Sequence, residues 1–181
     1  MSLRKSIHRF YLAIVSEKSI KLILAMVFLL FLALLLKNIL IIFLMLAIAI
    51  ISLLHNIFTR NMIGFELVTF STVFCAMKFG AAAGIFVGVF AILIGMMLSR
   101  NVDEGIFLMM VGFAAIGFFA SMFSISHIFA VGMVSVILYD IVVVGFYMLM
   151  GSNVVKSVSY AFTHIMLNYF IFMYLPQFFK F

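Results

Sequence analysis

The chain has 181 residues, 69% of them hydrophobic and 9% charged, with a formal net charge of +6. A mean hydropathy of +1.43 excludes a soluble domain, and apolar blocks of about twenty residues parted by one or two charges read as a polytopic helical membrane protein in a lipid bilayer. The basic residues cluster at the N-terminus and recur singly at the ends of apolar runs, a topology and lipid-headgroup pattern that argues against nucleic acid as a partner.

In chain order, residues 1–19 set Leu3, Ile7, Phe10, Tyr11 and Ile14 at helical spacing, with Arg4, Lys5, His8 and Arg9 largely on the other side. This predicts a short basic amphipathic segment at the membrane interface. Apolar runs follow at 20–36, 38–54, 63–79, 80–98, 105–123, 127–150 and 157–175, which predict seven spans. Residues 20–36 are then an extra N-terminal transmembrane helix, and residues 37–181 a six-helix membrane core. The first two runs are separated only by Lys37 and Asn38. A very tight turn is expected there, because one helix over both would be about 50 Å long. A second tight break is expected at Phe79 and Gly80.

The longer polar connections, 55–62, 99–104 and 151–157, alternate with tight turns and so fall on one side of the membrane. With seven spans that side carries eight basic residues (Arg4, Lys5, Arg9, Lys18, Lys21, Arg60, Arg100, Lys156) against three opposite (Lys37, Lys78, Lys180). The positive-inside rule makes it cytoplasmic.

Two acidic residues lie within the apolar runs, Glu66 and Asp140. A charged side chain at mid-membrane costs at least about 2.5–3.5 kcal/mol, so each requires a partner, a watered cavity or a proton. Glu66, near the start of its run, reads either as a pocket residue or as an acid favoured by a helix N-terminus. Asp140, near the middle of its run, reads either as a pocket residue or as a hydrogen bond to a neighbouring helix. Tyr160, His164 and Asn168 recur every four residues and share one helical face, either lining a cavity or bonding across to another helix. Gly80, Gly84 and Gly88, continued by Ala91 and Gly95, form a stripe suited to close helix packing or to docking of a partner helix.

The single cysteine, Cys75, excludes an intramolecular disulfide and a cysteine-based metal site. No two histidines fall at ligand spacing on one helix, so no metal is expected. The chain has no Gly-rich phosphate loop, no HExxH and no Gly-x-Ser-x-Gly. It reads as a non-enzyme without a cofactor, engaged in binding or assembly.

The stretch Gly64-Phe65-Glu66-Leu67-Val68-Thr69, followed by Phe79-Gly80-Ala81-Ala82-Ala83-Gly84 and Gly88, resembles the substrate-binding S components of energy-coupling-factor vitamin transporters. The resemblance covers residues 39–176 as six helices. It implies a multi-pass cell-membrane subunit that captures a small molecule beneath the three loops, here outside the cell, and docks on a transmembrane coupling subunit driven by ATPases. On that reading Asn61, Glu66, Asp140, His164 and Asn168 are the ligand-binding residues, and Gly80, Gly84 and Gly88 the packing or docking face. The membrane subunits of rod-shape machinery are similarly built. They imply the alternative, a scaffold in which Asp140 and His164 only tie helices together.

Overall fold

The one proline, Pro176, lies near the end of the chain, so none of the apolar runs before it meets the residue that most strongly breaks helices. The computed structural model describes residues 17–54, 64–100 and 103–179, and among them there is no strand. The elements are α1 (Glu17–Leu53), α2 (Val68–Phe79), α3 (Ala81–Leu98), α4 (Ile106–Ala120), a 3-10 turn at Ile125–His127, α5 (Ile128–Leu149), α6 (Val154–Tyr174) and a closing 3-10 turn at Leu175–Phe179. The fold is all-α. Four stretches, Leu36–Leu53, Ala81–Leu98, Ile125–Leu149 and Val154–Phe179, are long and apolar enough to cross a membrane, whereas α2 and α4 are shorter.

The expected turn at Lys37 and Asn38 is absent, and α1 runs without interruption through both, over 37 residues. Neither residue forces a break, since lysine is a good helix former and asparagine costs well under about 1 kcal/mol in a helix. Residues 20–36 are thus not set off as a separate helix. Of the expected interfacial segment, only residues 17–19 lie within the described part of the chain, where they open α1.

The chain divides into two compact units, residues 1–41 and 42–181. In the first, the described part is the opening stretch of α1, whose apolar side chains such as Leu22, Phe28 and Phe31 are exposed. Lipid tails are as apolar as leucine, so such a surface is at home in a bilayer.

In the second unit α2 is the central element, buried from Val68 through Ala76. Helix α3 reaches it through the glycine stripe. A Cβ on Gly84 would overlap the Ala76 side chain, and one on Gly88 would come within 2.7 Å of Thr72 Oγ1 and 2.9 Å of Phe113 Cβ. Gly95 meets Leu53 in the same way. These three glycines are consumed by packing inside this chain, against α2, α4 and the end of α1. Gly80 contributes conformation rather than closeness. It takes φ +93° with nothing near its missing Cβ, and so makes the reversal between α2 and α3 that a residue with a Cβ would resist.

Two apolar runs prove longer than their helices. Helix α2 opens only at Val68, after the non-helical residues Gly64–Leu67, and α4 stops at Ala120, before Ser121 and Ser124. Phe70, Phe74, Phe113 and Phe172 are fully buried, and the Phe70 and Phe172 rings lie 5.5 Å apart.

Candidate ligand-binding site

The first amides of α2 need acceptors, and Leu67 at the cap position has no polar side chain to offer. Glu66, one residue earlier, supplies them. Its carboxylate accepts from the Val68 and Thr69 backbone amides and from the Thr69 hydroxyl. An acid at this end of a helix also interacts favourably with the helix dipole.

The segment that carries Glu66 is fixed on both flanks. The Gly64 amide donates to Thr163 Oγ1 at 2.9 Å, and the Leu67 amide to Ser52 Oγ at 2.9 Å. Gly64 lies so close to α6 that an added Cβ would stand 2.8 Å from the Cα and N of His164. Glycine is required here by proximity to backbone, which cannot move aside.

That approach brings Glu66 against His164, a residue 98 positions away in sequence. His164 is completely buried, with Nε2 2.8 Å from Glu66 Oε1 and Nδ1 2.8 Å from Asp140 Oδ1. Glu66 and Asp140 are themselves 5% and 3% exposed. One imidazole therefore bridges two carboxylates drawn from the pre-α2 segment and α5. Both ring nitrogens are thereby engaged in hydrogen bonds. Tyr160 stacks on the imidazole at 5.5 Å and 20°, and Asn168 Nδ2 donates to the His164 carbonyl at 3.0 Å. Asp140 Oδ2 and Asn168 Oδ1 are buried without a hydrogen-bond partner among the described residues.

Beside this trio is a cavity of about 160 Å³, lined by residues near all three polar connections: Gly64, Phe65 and Glu66; Asp103; and Ser152, Lys156 and Ser157. Tyr139, Tyr147 and Tyr160 complete its polar wall, while Phe113, Met96, Met109 and the α5 valines supply apolar surface. Asp103 is oriented by two donors, the Tyr147 hydroxyl at 2.7 Å and the Gly105 amide at 2.9 Å. Ser152 and Ser157 share a hydrogen bond of 2.7 Å.

Of the residues expected to bind a ligand, Glu66 is on the cavity wall. His164 and Asp140 stand behind it in the trio, and Asn168 lies one turn further along α6, bonded to its own helix. Asn61 lies outside the described residues. Tyr160 brings the four-residue stripe to the cavity, while His164 and Asn168 continue it into the core. In sequence, Thr163 and Tyr139 have no assigned role, and Gly64 figures only in the stretch that carries the resemblance. Thr69, three residues after Glu66, carried a faint capping signal; Thr163 and Gly64 carried none, because their pairing is purely tertiary. Asp103 reads in sequence as part of a solvated cluster with Arg100 and Glu104, yet its carboxylate is held at the cavity by Tyr147. No family model, curated protein or solved structure matches this chain.

Proposed function

We propose that this protein is the membrane-embedded capture subunit of a small-molecule uptake transporter in the cell membrane, powered through a separate transmembrane coupling subunit by ATPases. The cavity carries this reading. Protein interiors close to crystal density, so a space of about 160 Å³ lined from three separate polar connections, with aromatic rings inside and charged groups among its lining, is suited to an occupant of its own. The trio supports the same reading, because it fixes one wall of the cavity from α5 and α6 at once. The sequence likeness to vitamin-capturing S components supplies the transport context and the need for outside energy.

One observation favours the scaffold of the rod-shape type instead. Both nitrogens of His164 are spent on tying the pre-α2 segment to α5 and α6, which is what a purely structural polar centre does. Mass spectrometry of the gently extracted full chain separates the two. A small molecule that co-purifies and is lost in Asp103→Asn or Tyr160→Leu, with melting temperature retained, supports capture. Repeated absence of any such molecule, with a stable protein complex in its place, supports the scaffold.

A further inference from the structure

We infer that the cavity selects an organic cation, a protonated amine or quaternary ammonium carried on a small apolar or aromatic body; this rests on the capture reading above. The charge of the trio leads to it. Two contacts of 2.8 Å join His164 to Glu66 and Asp140, and each needs one hydrogen. Whether both hydrogens sit on the imidazole or one sits on a carboxyl, two hydrogens shared among these three groups leave one net negative charge. No lysine or arginine among the described residues pairs with any of the three. The N-terminus of α2 offsets part of that charge. Asp103 adds a second carboxylate to the lining, and Lys156, which is exposed, is the only basic group in it among the described residues. The lining and the trio behind it thus sum to negative, in surroundings where a buried charge acts strongly for want of water.

The remaining surface suits a cation as well. Phe65, Phe113, Tyr139, Tyr147 and Tyr160 all line the cavity, and aromatic faces attract ammonium groups through the ring quadrupole. Tyr139, only 7% exposed, and the half-buried Tyr160 both line the cavity, and neither hydroxyl makes a hydrogen bond among the described residues. A phenol hydroxyl both donates and accepts, so each of these can accept from an ammonium N–H. Glu66, by contrast, already receives the His164 nitrogen, two amides and a hydroxyl. It acts on an occupant through its charge and leaves direct contact to the phenols and rings.

Equilibrium dialysis of the full chain in detergent micelles against benzylammonium, benzyl alcohol and benzoate tests this with one ring in three charge states. The expected result is saturable binding of benzylammonium at least about tenfold tighter than either of the others, in keeping with a desolvated cation on aromatic faces. Asp103→Asn, outside the buried trio, is expected to weaken benzylammonium severalfold, and more than it weakens benzyl alcohol; equal weakening of the two counts against the cation assignment. Benzoate binding as tightly as benzylammonium overturns the cation assignment and leaves the capture reading standing. No saturable binding of any probe also overturns it, and capture is then decided by co-purification alone.

Discussion

Replacing His164 by leucine removes the one group that holds the two buried carboxylates apart and paired. The native side chain is completely buried and makes two contacts of 2.8 Å to groups almost as deep. Each charge-assisted hydrogen bond contributes about 1.5–3 kcal/mol, and breaking a buried ion pair from one side costs about 3–5 kcal/mol because the other charge is stranded. Polar contacts between membrane helices average nearer about 0.6 kcal/mol, since the unfolded chain in lipid also finds partners. The trio should exceed that average, with two carboxylates rather than neutral groups depending on one donor. A loss of about 3–5 kcal/mol is expected for His164→Leu, and a smaller loss of about 1–2 kcal/mol for Asp140→Asn, which keeps an acceptor for Nδ1. The assay is reversible unfolding in mixed micelles followed by circular dichroism, on both single variants and on His164→Leu with Asp140→Leu. Residues in one network should show a coupling of about 0.5–3 kcal/mol. Single losses below about 1 kcal/mol that simply add would refute the trio as the structural centre of the bundle.

Gly64→Ala should destabilise the chain by about 1–3 kcal/mol through overpacking against the α6 backbone, whereas Gly145→Ala, with nothing within 4 Å of its missing Cβ, should be neutral or raise the melting temperature. Thr163→Val removes the acceptor for the Gly64 amide and should cost about 1–3 kcal/mol, as an orphaned buried donor does; the same unfolding assay reads both. Glu104→Cys should react with a membrane-impermeant maleimide in intact cells, as capture from outside requires, against a background in which buried Cys75 stays unlabelled. Labelling only after permeabilisation would place that loop in the cytoplasm, where the basic residues alone would put it.

Helix content was legible because apolar runs of span length leave the backbone little choice in lipid. The Tyr160, His164 and Asn168 stripe was legible for the same reason, since spacing by four fixes a face once the helix is granted. What spacing does not contain is the partner. Glu66 finds His164 across 98 residues through the closeness that Gly64 permits, and nothing near either residue in sequence announces it. Lys37 and Asn38 misled in the opposite direction: two polar residues looked like a boundary, but with no glycine or proline beside them the helix continues. The stripe of Gly84, Gly88 and Gly95 was equally ambiguous until α2, α4 and Leu53 filled it.

The shortness of α2 bears on how the protein is made. Its 12 residues span about 18 Å, well under the roughly 30 Å of a hydrocarbon core. Irregular backbone at membrane depth is tolerated only where protein satisfies its polar groups. Residues Gly64–Leu67 just before α2 meet that demand partly with Ser52, already synthesised, and partly with Thr163 and His164, synthesised about a hundred residues later. During biogenesis this segment is expected to be only partly satisfied at first. Its hydrogen bonds to Thr163 and His164 can form only once α6 has been made.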